Sequence, residues 1–254
     1  MIKILKKFVH NLLQKFGYTL TVNLKSDPIV GQDKTFIKIY EQAKEYTMTS
    51  MDRMYALYNA ISYIAKNDIP GDFVECGVWK GGSSMLIALT LKELRITDRK
   101  IYLYDTFEGM SEPTELDYEA SGKSSDSVDT WKKKQKKAHN DWCYASIQEV
   151  ESNMALTQFP QSNIIFVKGK VEETIPAKIP SKIALLRLDT DWYESTKHEL
   201  DHLYPLITPK GVLIIDDYGF WAGARKAVDE YFSVSPILLN RIDDTGRIGI
   251  KNES

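Results

Sequence analysis

The chain has 254 residues, 43% of them hydrophobic, enough for one large α/β domain or two small ones. A net charge of −2 gives no ground for a nucleic-acid partner, and two cysteines, Cys76 and Cys143, are too few for a secreted disulfide framework. No run reaches the ~18 apolar residues of a membrane span, and the start lacks an apolar stretch with a small-residue cleavage site, so a cytoplasmic protein is expected.

In chain order, residues 1–16 place Ile4, Leu5, Phe8, Val9, Leu12, Leu13 and Phe16 on one helical face, with Lys3, Lys6, Lys7 and Lys15 among them. The expectation is a helix that packs on its own domain or on a second subunit, so a homo-oligomer, rather than one that lies on a membrane. A second helix is expected over 33–46. A third starts near Thr49, where Thr49-x-x-Asp52 reads as a capping box, and runs through Met54, Leu57, Tyr58, Ile61 and Ile64. Residues 1–70 therefore read as a helical cap or oligomerisation region.

From Gly71 the rhythm becomes strand, loop, helix. Strands are expected at 73–76, 100–104, 163–167, 182–188 and 211–215, with helices at 82–94, 145–156, 194–203 and 222–232. Two late strands, 236–240 and 247–250, flank the turn signal Asp243-Asp244-Thr245-Gly246. This alternation predicts an α/β fold for 71–254, a mostly parallel sheet covered by helices on both faces, the last hairpin adding an antiparallel strand. The interval 108–141 is too long and charged for a connector. It reads as a lid or binding loop, its lysines 132–134, 136 and 137 a solvated helix face.

Ligands of open α/β sheets sit beyond the carboxyl ends of the strands. The first such end carries Glu75-Cys76-Gly77-Val78-Trp79-Lys80-Gly81-Gly82-Ser83-Ser84. This is neither the G-x-G-x-x-G of a dinucleotide fold nor a P-loop. An acid just before the turn would repel a pyrophosphate but could meet the ammonium of an amino acid, which favours S-adenosylmethionine over NAD. The second strand ends in Asp105, an acid placed to accept from ribose hydroxyls; a plain helix cap is the competing reading. A salt bridge at the strand end competes for Glu75.

The fourth strand ends in Asp189-Thr190-Asp191 and the fifth in Asp216-Asp217. Four carboxylates at one sheet edge repel unless a cation lies between them, and hard oxygen ligands suit Mg²⁺ or Ca²⁺. Asp189-Thr190-Asp191 also matches the D-x-D of metal-dependent glycosyltransferases, a reading that leaves the glycine turn and Asp216-Asp217 without a role.

Five pieces in order then resemble one family: Tyr46-Thr47-Met48-Thr49-Ser50, residues 71–82, Asp105-Thr106-Phe107-Glu108-Gly109-Met110, residues 186–196 and Ile214-Ile215-Asp216-Asp217-Tyr218-Gly219. Together they are similar to the macrocin-type sugar O-methyltransferases. The resemblance implies a Class I, Rossmann-like methyltransferase fold with seven strands. It implies S-adenosylmethionine as methyl donor and a divalent ion, usually Mg²⁺, on Asp189, Asp216 and Asp217, with Asp191 as the base. It places Glu75 and Gly77 by the methionine part of the cofactor, Asp105 by the ribose, Gly169 by the adenine, and Met48 and Thr49 near the cofactor or acceptor pocket, with Ser83 and Thr106 also among the cofactor-binding residues. A sugar-containing acceptor is implied.

The chemistry is coherent. A free Asp has a pKa of about 3.9, far below that of an alcohol, and abstracts a hydroxyl proton poorly unless a metal acidifies that hydroxyl. A catechol acceptor uses a metal in the same way, but the lysine a few residues after the metal Asp, typical of that group, has no close match; Lys197 is eight residues beyond Asp189. His10, His139, His198 and His202 show no zinc spacing. Trp192, Tyr193, Tyr218 and Trp221 flank the acids as candidate sugar-pocket walls.

Overall fold

The computed structural model describes residues 29–121 and 127–253. The amphipathic segment 1–16, and with it the sequence signal for self-association, lies outside them. Among the described residues, two α-helices, α1 (Lys34–Ala43) and α2 (Met51–Lys66), precede the sheet. Then come β1 (Asp72–Cys76), α3 (Gly82–Glu93), β2 (Ile101–Asp105), α4 (Ser127–Lys134), α5 (Ile147–Leu156), β3 (Ile164–Lys168), α6 (Val171–Thr174), β4 (Ile183–Leu188), α7 (Tyr193–Leu203), β5 (Ile207–Ile215), α8 (Ala222–Tyr231), β6 (Asn240–Arg241) and β7 (Arg247–Ile250).

The seven strands order as β3-β2-β1-β4-β5-β7-β6. β1 pairs in parallel with β2 and β4, β2 with β3, and β4 with β5, while β7 runs antiparallel to both β5 and β6. This is the expected mostly parallel seven-stranded sheet with one antiparallel strand. The chain runs from β1 outward to β3, then crosses back to β4 on the other side of β1. Strand order therefore reverses between β1 and β4, and a crevice opens there.

Side chains alternate between the two faces of each strand, and the apolar residues follow. Phe73, Ile101, Leu103, Leu185, Val212 and Ile214 face a core completed by α1, α2, α3 and α5, through Phe36, Ile39, Leu57, Ile61, Leu86, Ile87 and Val150. Val74, Cys76, Tyr104, Leu186, Leu188, Leu213 and Ile215 face the other layer, closed by Leu200 and Leu203 of α7, Val228 of α8 and Phe232 just after it. Each fully buried Leu or Ile stabilises by roughly 1.5–3 kcal/mol. α1 and α2 thus share one core with the sheet.

The cap of α2 differs by one residue from the capping-box expectation. Ser50 is the N-cap, its side chain accepting from the Arg53 N–H at 3.1 Å. Thr49 is freed for another task, and its hydroxyl donates to Asp216 Oδ2 at 3.2 Å. The segment 108–141 is ordered wherever it is described. It contains α4, whose lysines are exposed as expected for a solvated face. It is tied down by the Met110 N–H on the Trp142 carbonyl, the Ala120 N–H on the Phe220 carbonyl and the Ala222 N–H on the Tyr118 carbonyl. No helix among the described residues is long and apolar enough to cross a membrane.

Candidate active site

The parallel ladder continues one residue past each strand and so lines up the loops that follow. The Gly77 N–H donates to the Tyr104 carbonyl at 2.9 Å, Asp189 to Cys76 at 2.8 Å, Asp216 to Leu188 at 2.9 Å and Gly169 to Asp105 at 3.0 Å. Gly77 is required at its place. Its φ is +84°, and a Cβ there would lie 2.0 Å from the Asp189 carbonyl oxygen, so only glycine lets the β1 turn rest against the β4 loop.

These loops frame a cavity of about 590 Å³, in the range of small-molecule sites. Met48, Thr49, Gly77, Ser83, Asp105, Thr106, Gly169, Asp189, Asp191, Asp216 and Asp217 all line it. Glu75 does not. It is fully buried behind the cavity, where both its oxygens accept from the Ser83 and Ser84 hydroxyls and Oε1 also meets Arg187 Nη1 at 2.5 Å. The strand-end salt bridge holds here. Asp105 lines the cavity but organises its own turn: Oδ2 accepts from the N–H groups of Val78 (2.7 Å) and Trp79 (3.2 Å), Oδ1 from that of Phe107 (2.6 Å). Burial raises its pKa against the pull of these donors.

At the tips of β4 and β5, Asp189, Asp191 and Asp217 each bring one carboxylate oxygen within 4.8 Å of the others. The Asp189 side chain keeps 28% exposure, toward the cavity. Asp191 is held at φ +71°, an uncommon backbone for a residue with a Cβ, which turns its side chain back toward the cluster. Enclosure first, then repulsion from Asp189 and Asp216, pushes Asp191 up to about 7. Burial and the neighbouring carboxylates raise Asp189 and Asp217 as well. Asp217 Oδ2 is buried without any hydrogen-bond partner. Crowded hard oxygens, one of them orphaned, are what a divalent cation would satisfy.

Asp216 lies beside this trio and faces elsewhere. Its Oδ1 accepts from Arg187 Nη2 at 2.7 Å, and its Oδ2 pairs with Arg53 of α2. Arg187 is almost fully buried and also meets Asp189 at 2.8 Å, so one guanidinium binds acids from the tips of β1, β4 and β5. Neither arginine was singled out from sequence. Arg187 had a signal, as the one charged residue inside the apolar run Ala184–Leu188; Arg53 had none.

Of the aromatic candidates, Trp221 lines the cavity, joined by Phe220 and Trp142. Trp192 backs them, its ring edge-on to Trp221 at 4.9 Å and to Trp142 at 5.7 Å. The Tyr193 and Tyr218 hydroxyls instead donate to Glu230 and Asp229 on α8. The lid segment contributes Gly109, Met110, Ser111, Glu119 and Thr130 to the wall. Cys143 is there too, but burial pushes its thiol up to about 12, which leaves it protonated and inert. No histidine among the described residues reaches the cavity.

A family model described as Macrocin-O-methyltransferase (TylF) matches residues 7–248. The 8-demethyl-8-(2,3-dimethoxy-alpha-L-rhamnosyl)-tetracenomycin-C 4'-O-methyltransferase of Streptomyces olivaceus is 30% identical over 251 residues, covering 96% of this chain and 89% of that protein. Demethyldecarbamoylnovobiocin O-methyltransferase of Streptomyces niveus is 30% identical over 207 residues, covering 80% and 75%. Among solved structures, the O-methyltransferase NovP superposes with a TM-score of 0.72 at 28% identity, covering 82% of this chain and 83% of that one.

Proposed function

Because the chain belongs to the macrocin O-methyltransferase family, and is therefore an S-adenosylmethionine-dependent O-methyltransferase, we propose that it methylates a hydroxyl of a sugar-containing acceptor with the help of a divalent ion, Mg²⁺ by preference. The observation that carries the ion is the convergence of Asp189, Asp191 and Asp217 around the orphaned Asp217 oxygen. The sugar acceptor draws on the Streptomyces olivaceus relative, whose name specifies a rhamnosyl group.

When bound, S-adenosylmethionine supplies its sulfonium methyl and the ion supplies Lewis acidity toward an acceptor oxygen. The chain's own residues do the rest. The glycine turn at Gly77, with Ser83, Asp105, Thr106 and Gly169, offers the donor a lined groove on the β1–β2 side of the cavity. Asp189 and Asp217 would hold the ion, and Asp216, the third ligand expected from sequence, would reach it only if its Oδ2 were released by Arg53. Asp191 takes the hydroxyl proton, and the Lewis acidity of the ion is what lets a carboxylate serve as the base. Trp142, Phe220 and Trp221 offer apolar faces against which a sugar ring can lie. The segment 108–141 acts as a lid that excludes water and orients the acceptor, work that can be worth on the order of 7–11 kcal/mol of the barrier in ideal cases.

The test is methyl transfer, read by mass spectrometry, onto a panel of glycosides with adjacent hydroxyls, onto nucleotide-linked sugars and onto catechols, each with Mg²⁺ or with EDTA. Methylation of a sugar hydroxyl that disappears in EDTA supports the reading. Transfer only to catechols, or transfer indifferent to EDTA, contradicts it. Binding of a nucleotide-sugar with no binding of S-adenosylhomocysteine would favour the D-x-D glycosyltransferase instead.

A further inference from the structure

The lid segment meets the acidic loop through one carboxylate that the chemistry above leaves unused. Asp117 is fully buried and has no cationic partner among its hydrogen bonds. Its Oδ2 accepts from the N–H and the hydroxyl of Thr114, both at 2.8 Å, which closes a tight turn within the lid. Its Oδ1 accepts from the Tyr193 N–H at 2.7 Å. Its carbonyl accepts from the Ser127 hydroxyl at 2.5 Å, which fixes the start of α4.

Tyr193 is the first residue of α7, and the N-cap Trp192 makes no side-chain cap. A helix so begun leaves its first N–H groups unsatisfied. Asp117 supplies that cap from 76 residues away, and its negative charge sits where the helix dipole favours it. α8 leaves room for it. A Cβ on Gly223 would lie 2.0 Å from Asp117 Oδ1 and 2.9 Å from the Tyr193 nitrogen.

The capped end of α7 follows Asp191 by two residues, and the loop between is fastened on both sides. The Trp192 N–H donates to the Thr190 carbonyl at 2.8 Å, and its indole N–H donates to Ser111 of the lid at 3.0 Å. The Thr190 hydroxyl donates to the buried Glu199 at 3.0 Å. Asp191 sits at positive φ between these anchors, a conformation that persists only where its surroundings over-determine it.

We propose that Asp117 is a positioning residue that joins lid docking and the conformation of the Asp189-Thr190-Asp191 loop into one cooperative unit, so that the acids are aligned only while the lid is seated. The proposal rests on reading that loop as the centre of the chemistry, but its test reads the loop directly.

Hydrogen–deuterium exchange of the full chain compares wild type, Asp117→Ala and Gly223→Ala. Gly223→Ala keeps Asp117 but sets a Cβ against both its carboxylate and the Tyr193 backbone nitrogen, so it reports the whole contact, and Asp117→Ala, which leaves Gly223 in place, isolates the carboxylate. Both variants are expected to speed exchange at least tenfold in peptides covering 108–121 and 189–196. Peptides over 77–84 and the Kd for S-adenosylhomocysteine should stay within twofold of wild type. Asp117→Asn, which keeps an acceptor for Tyr193 but turns a donor toward Thr114, should fall between. If Asp117→Ala does not fold, Asp117→Asn decides alone. Loosening of 108–121 with 189–196 unchanged, or no change in either, overturns the proposal. Mn²⁺ calorimetry on the same proteins separates the two levels: a wild type that binds no Mn²⁺ sinks the ion reading and leaves the exchange result to judge Asp117.

Discussion

The most quantitative consequence concerns the ion-free protein and pH. Asp191 rises from 3.8 to about 7 because its cavity disfavours the charged form. Below pH ~4 the carboxyl is protonated in both folded and unfolded chains, and it costs the fold nothing. Between pH ~4 and ~7 the folded chain holds the proton more tightly than the unfolded one, so stability falls as pH rises. Above ~7 the whole penalty is present. About three pKa units at ~1.4 kcal/mol each set an upper bound of about 4 kcal/mol, and cavity water lowers this to roughly 2. For a domain of this size about 2–4 °C accompanies each kcal/mol, so melting should drop by roughly 4–8 °C between pH 4 and pH 8 in EDTA. The assay is thermal melting at four pH values in EDTA and in excess Mg²⁺, for wild type and Asp191→Asn. Asn carries no charge, so the variant should lose the part of the slope that Asp191 contributes while Asp189 and Asp217 keep theirs, and excess Mg²⁺ should flatten the wild-type slope by binding the ionised cluster. The same pH slope in Asp191→Asn as in wild type would refute the reasoning.

Other outcomes follow from the same contacts. Asp217→Asn removes the orphaned oxygen, and calorimetry should show Mn²⁺ binding at least tenfold weaker with the S-adenosylhomocysteine Kd unchanged. Arg53→Met takes a cation away from the cluster and frees Asp216 Oδ2; Mn²⁺ should bind more tightly, by roughly tenfold, about 1.4 kcal/mol, and unchanged affinity would show that Arg53 does not compete with the ion. Arg187→Met strands Glu75 and Asp216 in the interior. Denaturant unfolding should show a loss of about 3–5 kcal/mol.

Much of this architecture was legible because it is periodic or local. The alternation Phe73 inward to one layer and Val74 to the other, the glycine turn at Gly77 and the paired acids after two apolar strands are short-range signals. They located the strand tips, and hence the cavity lining. What stayed hidden depends on which strands become neighbours. Glu75 reads identically whether it faces a ligand or a partner; only the β1–β4 register, which sets Glu75 opposite Arg187, decides it. Asp216 is likewise claimed by Arg53 across 163 residues. The cap of α2 was read one residue early because Thr49 and Ser50 are equally good caps in isolation, and Thr49 is drawn to Asp216. The anchoring of the lid was not legible because Asp117 finds its partner on α7, 76 residues away.

The central claim is that carboxylates from the tips of β4 and β5 grip one hard cation next to the methyl donor. A crystal grown with S-adenosylhomocysteine and Mn²⁺, measured for anomalous scattering at the manganese edge, tests it most directly. The account predicts a single strong peak within bonding reach of Asp189 and Asp217, facing the cofactor sulfur across the cavity. A fully occupied cofactor with no peak there, or a peak bound only by surface residues elsewhere, would contradict it.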